Sequence, residues 1–579
     1  MVYKGPSKGC EACRHRRVKC DETRPQCGNC TKRNRDCPGY RNLFDAVHKH
    51  DNPVSVKRNL DLCGSSSESE SPSSKYINDL YPRLLTRSSS SDESPEPDVE
   101  LLKEADLTLV IPPSRNTEVE SIYWFFQNYV TVPRDPSTNI FIEHILPLYV
   151  KAPVESPLSL AINAVALEIM QMWFLRTTGS HQARAYYGKA MTQLTAALQD
   201  SVESKSDQTL ATVFMFDFYE SLRKRFAGFV DSGAHQQGAI ALVRHRGKKN
   251  FESATSRRLF QAARSRHISY SLQHCRKIML DPAMRDEETE SQPSAQLDLL
   301  NAELAGIYVL AEAGPKAGMD ATEFYQVVVA KALLLDKHLQ AWRESLPPSW
   351  QPAVVAPSKI HPSIKAAGLY EGMCEVYSSL EVSHIHNAAR SSHFGVLRLI
   401  SLCQRQLEAQ GHAVLDATLQ SYLDRQIQTI IDGFCASIPY HLGNRTTVSL
   451  PHEHSEYPPV PDELRRLTNY VDAMGNPAEM TMNDHSRAAA AIGGWFLMTP
   501  LLGFLRMQML DTQRPRPGPF MSKLRPGQLP WIQQQLRRIQ RIYLLPYESS
   551  EPHSDQGYSI PPLQGSETGM AWHKLLWSL

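Results

Sequence analysis

The chain lacks most of the signals that would make it an enzyme, a secreted scaffold or a membrane protein. It contains no G-x-S-x-G elbow, Walker loop, G-x-G-x-x-G or H-E-x-x-H, so no catalytic centre is assigned and no enzymatic role is expected. Met1-Val2-Tyr3-Lys4-Gly5-Pro6 has no apolar region, so no secretory signal is expected. Without an oxidising compartment, a disulfide scaffold is not expected either. No apolar run is expected to span a bilayer; the nearest, from Gly493 to Leu505, contains Pro500. Charge of one sign is also missing, with 62 Lys/Arg against 61 Asp/Glu and a net charge of +1. Any nucleic-acid surface must therefore be local.

Against these absences stand six cysteines at the N-terminus: Cys10, Cys13, Cys20, Cys27, Cys30 and Cys37. The spacing C-x2-C-x6-C is written twice, seventeen residues apart. Two cysteines with two residues between them bring two sulfurs to one ion, and thiolate favours zinc. Six thiolates serve either one four-ligand site with two left over or two sites that share ligands. Two tetrahedral zincs need eight ligand positions, which six cysteines supply if two sulfurs bridge. The duplication suggests one bridge per half. The other five cysteines, Cys63, Cys275, Cys374, Cys403 and Cys435, are scattered, as in a reducing compartment.

The segment from Cys10 to Cys37, with Cys20-Asp21-Glu22-Thr23-Arg24-Pro25 at its centre, closely resembles the fungal Zn2Cys6 binuclear-cluster transcription factors. The resemblance implies two Zn2+ held by the six cysteines, with Cys10 and Cys27 bridging. It also implies a short helix after the second cysteine of each half, and a first half that enters the major groove of double-stranded DNA. The base-reading positions map to Arg16 and Arg17, where arginine suits the guanines of CGG triplets. Arg14, Lys19, Lys32, Arg33 and Arg35 are candidates for phosphate contacts, which position the module without reading sequence.

Charge agrees with that role. Residues 1–58 hold fourteen Lys/Arg and six Asp/Glu, a formal +8 that six thiolates and two zincs reduce to about +6. Many relatives of this kind follow the cluster with a dimerising coiled coil. No sustained heptads follow Cys37 here, which leaves dimerisation open.

Residues 59–115 contain thirteen serines and eleven Asp/Glu against five Lys/Arg, without a long periodic apolar stretch, and read as a disordered tether. The acidic and leucine-bearing stretch from Asp92 to Val110 could recruit coactivators. Beyond it the pattern is helical almost throughout. Ile122, Phe125, Phe126 and Tyr129 follow i, i+3, i+4, i+7 after Thr117, a candidate cap. Similar stretches lie near 157–176, 181–200, 207–222, 256–279, 297–312, 321–346, 367–408 and 414–437, and strand-like alternation is scarce.

This large region resembles the fungal-specific regulatory domain. The resemblance rests on Asp207-Gln208-Thr209-Leu210 through Glu220, Gly238 through Gly247, Trp342 through Trp350, and Cys435 through Gly443. It implies regulation through corepressors or coactivators, or through a small-molecule effector; the alternative reading makes the domain chiefly a receptor that controls the DNA-binding head. The aromatic run Tyr123-Trp124-Phe125-Phe126 reads as core, and His384, His386 and His452-Glu453-His454 read as ordinary polar residues rather than a second metal site.

The expected fold is mainly all-α. Residues 1–41 form a DNA-binding head (cluster 10–37), 42–115 a largely disordered linker and 116–579 a helical regulatory domain. The expected function is that of a nuclear, sequence-specific transcription factor of RNA polymerase II genes in a fungus.

Overall fold

The computed structural model describes residues 12–13, 16, 18, 20–21, 27–33 and 37 of the head. It also describes 117–543 apart from 131, 176–178, 228–232, 277, 279–290, 412–416, 448, 452, 454, 468, 473, 498–500 and 502–523. The chain forms two compact units, residues 1–117 and 118–579. The expected linker, Cys10, Arg14, Arg17, Lys19 and Arg35, and the histidines of His452-Glu453-His454, lie outside the described residues.

In the first unit the short helix α1 (Gly28–Thr31) follows Cys27, and Ala12 and Cys13 are helical too. Among the described residues, the buried cluster around α1 consists of Cys13, Cys27 and Cys30, with Ala12, Cys20 and Cys37 packed against it. No aliphatic or aromatic core is present among the described residues of this unit. A segment this small cannot bury enough apolar surface to hold itself, so its fold must rest on what joins the sulfurs.

The second unit is mainly helical. α2 (Thr117–Tyr129), α3 (Ile145–Lys151), α4 (Pro157–Met170), α5 (His181–Gln199), α6 (Asp207–Ala227), α7 (Ala234–Arg246) and α8 (Ala254–Gln273) form its first half. α9 (Pro293–Ala313), α10 (Ala321–Glu344), α11 (Pro362–Gly368), α12 (Leu380–Ala409), α13 (Ala417–Leu442), α14 (Asp462–Arg466), α15 (Met482–Ala488) and α16 (Gln528–Tyr543) follow. One two-stranded antiparallel sheet pairs β1 (Ala353–Val354) with β2 (Glu375–Val376). Local chemistry sets several starts: Ser156, Ser180, Ser253, Asp320 and Ser379 each accept a backbone N–H in the first turn of α4, α5, α8, α10 and α12. Such a side-chain acceptor satisfies a donor that the helix itself leaves unpaired.

Every residue of α4 from Leu158 to Ile169 is buried, as expected of a helix that is apolar all round. The sequence reading has 157–176 as helical but names Gly493–Leu505, not this run, as the nearest to a membrane span. Pro157–Leu175 is long and apolar enough to cross a membrane by length and composition, and 78% of it is buried inside the unit, so the protein's own core covers it. The aromatic run behaves as expected of core. Phe125 is fully buried, the Trp124 ring sits 6.0 Å from that of Trp173, and Trp173 Nε1 donates to the Tyr129 hydroxyl at 2.6 Å.

One contiguous set of buried apolar side chains runs from Trp124 to Tyr543, so the two halves of this unit share a core. α16 helps to join them. The Tyr543 ring lies 5.8 Å from Trp173, its hydroxyl donates to the Ala489 carbonyl at 2.8 Å, and Arg445 Nη1 donates to that hydroxyl at 3.0 Å.

Boundaries differ from the sequence expectation in three places. Thr117 is the first residue of α2 rather than its cap. The helix expected to run to 279 stops at Gln273, and Cys275 takes a left-handed conformation (φ 48°). The helix expected from 367 begins at Leu380, because Gly368 adopts φ 142° and the chain then turns through β2.

Candidate metal centre and nucleic-acid interface

Two groups of three sulfurs converge in the head. Cys13, Cys20 and Cys27 form one and Cys27, Cys30 and Cys37 the other, and within each group the Sγ atoms lie within 4.8 Å of one another. Cys27 is common to both. Cys13 Sγ stands 3.7 Å from Cys27 Sγ. Two sulfurs on one tetrahedral zinc, each about 2.3 Å from the metal, are separated by about 3.8 Å. The spacing therefore suits two ligands of one ion, and it is far too long for a disulfide, whose S–S bond is about 2.05 Å.

The backbone aims these sulfurs. Cys27 is the N-cap of α1, and its Sγ accepts the Cys30 N–H at 3.3 Å. Cys37 Sγ accepts the Cys27 N–H at 3.5 Å. N–H donors directed at sulfur favour the thiolate that a metal requires. Cys13, Cys27 and Cys30 are fully buried, which shields such a site from water.

A further tie joins the halves. The Asp21 carboxylate accepts the Gly28 N–H through Oδ1 at 3.1 Å. The close approach requires glycine, since a Cβ at position 28 would run into Asp21 Oδ2. Sequence reading did not single out this pair, because a seven-residue separation matches no local capping pattern.

Among the basic candidates, Arg16 is half-buried and its N–H reaches the Ala12 carbonyl at 3.3 Å, closing a helical turn around Cys13. Lys32 and Arg33 are exposed at the end of α1, and their N–H groups return to the Gly28 and Cys30 carbonyls at 2.9 and 3.1 Å. Their backbones are thus fixed while their side chains remain in solvent, where a phosphate could reach them.

In the second unit His386 Nε2 donates to the Trp350 carbonyl at 2.8 Å. The His384 ring stacks on Phe496 at 4.1 Å. Among the described residues, the only groups of three or more His, Cys, Asp or Glu ligand atoms close enough to share an ion are the two cysteine triples.

Comparison with known proteins agrees with this geometry. Residues 8–46 match the fungal Zn(2)-Cys(6) binuclear cluster domain, and residues 124–281 match the fungal specific transcription factor domain. The transcriptional regulatory protein moc3 of Schizosaccharomyces pombe is 68% identical over 34 residues, 6% of this chain and 7% of that protein. The sterol uptake control protein 2 of Candida albicans is 39% identical over 83 residues, 13% of this chain and 12% of that protein. The white-opaque regulator 2 of the same organism is 51% identical over 43 residues, 7% of this chain and 10% of that protein. The chain thus spans about an eighth or less of the length of these relatives. No solved structure matches it. The cysteine cluster suits the two zinc ions of the matched domain. The chain thus carries, in this order, a segment that matches the fungal Zn(2)-Cys(6) binuclear cluster domain and one that matches the fungal specific transcription factor domain, the arrangement of a fungal Zn2Cys6 factor.

Proposed function

We propose that the protein is a nuclear, sequence-specific transcription factor that reads CGG-type triplets through its zinc head, while its helical unit regulates RNA polymerase II genes. The observation that carries this reading is the shared sulfur of Cys27, which turns two cysteine triples into one two-metal module. In it, Cys10, Cys13, Cys20 and Cys27 would hold one zinc and Cys10, Cys27, Cys30 and Cys37 the other. Bound zinc would supply the cross-links that fold the head, and the side chains do the reading. Arg16 and Arg17 donate to guanine O6 and N7. Arg14, Lys19, Lys32, Arg33 and Arg35 neutralise phosphates and make affinity fall steeply with salt. The chain acts as a regulator, without a catalytic step.

Selection of bound sites from random DNA with the full chain tests this. Enrichment of CGG triplets is expected. Arg17→Ala should weaken binding to the selected site by roughly 5- to 150-fold, the worth of one bidentate base contact. Binding to unselected DNA should change little. Equal losses on both DNAs would remove Arg17 from base reading.

A further inference from the structure

The second unit contains a cleft of about 730 Å³ that the DNA-binding reading does not use. It lies between the end of α10, the first half of α12, the middle of α13 and the β1–β2 pair. Its floor is buried and largely apolar, made by Leu339, Trp342, Ala389, Ile430 and Ala436. At the rim Val354 is 78% exposed, an apolar side chain left in water beside an apolar floor. The volume falls in the range of about 300–1,000 Å³ typical of small-molecule sites.

Charge narrows the ligand. Arg390 faces the cleft, but its Nη2 is 2.5 Å from Glu375 Oε2, and its Nη1 donates to the Tyr377 hydroxyl and to Asn387 Oδ1, both at 2.9 Å. His393 Nε2 is 2.6 Å from Asp336 Oδ1, whose other oxygen accepts the Tyr422 hydroxyl at 2.5 Å. Asp432 pairs with Arg525 Nη2 at 2.8 Å. Burial pushes His386 down to about 4, so it is neutral at physiological pH. Burial also pushes the Cys374 thiol up to about 12, which leaves it protonated and a poor nucleophile. Arg343 and Glu344 are exposed at the rim and solvated. Each inward-facing charge therefore already has its counter-charge within the protein. An ionised ligand would enter without a partner, at the desolvation cost of an unpaired buried charge.

We propose that this cleft binds a neutral organic molecule with an apolar body and a hydrogen-bonding end. The apolar part covers the floor, and the polar end meets the His386 and Arg390 side of the wall. Gly433 is part of the fit, since a Cβ there would run into the Arg390 guanidinium and displace it.

The test uses the full chain and two naphthalene fluorophores: prodan, which is neutral and carries a ketone, and anilinonaphthalene sulfonate, which is anionic. Prodan should bind saturably at one site with a blue-shifted emission, at least about tenfold more tightly than the sulfonate. Thr429→Trp, at the exposed rim, and Ala436→Phe, on the floor, should each weaken prodan binding by at least about tenfold. Far-UV circular dichroism checks folding, and the rim variant keeps the test usable if the floor variant unfolds. Glu375→Gln leaves Arg390 without its counter-charge, so the sulfonate should gain about tenfold while prodan changes little. Absence of prodan binding, binding indifferent to the rim variant, or an unchanged preference in Glu375→Gln would overturn the proposal.

Discussion

Asp21→Ala isolates one bond in the head. It removes the acceptor that holds the Gly28 N–H at 3.1 Å at the start of α1. Asp21 is exposed, so the bond is worth about as much as an exposed helix cap, about 1 kcal/mol. The unit has no apolar core among its described residues, so folding and metal binding are one equilibrium and the loss appears as weaker zinc binding. About 1 kcal/mol corresponds to about fivefold in affinity. Competition between the full chain and a chromophoric chelator measures it, and Asp21→Asn, which keeps an acceptor oxygen, should recover most of the loss. Gly28→Ala is the companion test. Only Asp21 atoms lie within 4 Å of a Cβ built there, so the substitution should weaken zinc binding in the wild-type background and cost nothing further beside Asp21→Ala. Unchanged zinc affinity in Asp21→Ala, or an equal cost of Gly28→Ala in both backgrounds, would refute the argument.

Two predictions concern the helical unit. Burial pushes His485 down to about 4, whereas an unfolded histidine titrates near 6.5, so between these values the unfolded chain holds a proton that the folded chain refuses and stability falls as pH falls. His485→Gln should flatten the pH slope of the urea-unfolding free energy in that window by up to about 1.4 kcal/mol per pH unit. An unchanged slope would count against it, and comparing variant with wild type cancels the opposite contribution of Glu143, Glu168 and Asp298, whose values burial raises. A Cβ at Gly395 in α12 would run into the Tyr308 hydroxyl, with the next ring atom at a comfortable 3.6 Å. Gly395→Ala should therefore cost about 1–3 kcal/mol in packing against about 1 kcal/mol gained in helix propensity, and should stabilise the protein in a Tyr308→Phe background; equal effects in both backgrounds would contradict this.

The metal centre was legible because its information is local. Cysteine spacing alone allows two zincs with shared sulfurs, and the geometry then places Cys27 in both triples. Most long helices were legible for a related reason, since apolar periodicity reports which face is buried. What escaped depends on distant partners. α16 carries Arg538 on its buried side, which donates to the Gly443 carbonyl at 2.6 Å and therefore breaks the apolar stripe that reading relies on. α7 likewise buries Arg246, whose Nη2 donates to Asp207 Oδ1 at 2.6 Å. The β1–β2 pair has two residues per strand, too few to show alternation. The cleft is assembled from residues more than ninety positions apart, and no window of sequence contains it.

The shared sulfur is the central claim, and a metal count tests it most directly. Zinc bound per full chain, measured by elemental analysis after exhaustive dialysis, should be two for the wild type. Cys37→Ser should lower occupancy at one site, whereas Cys27→Ser should lower it at both, because only the latter removes a ligand common to the two triples. One zinc in the wild type, or equal losses in the two variants, would contradict the account.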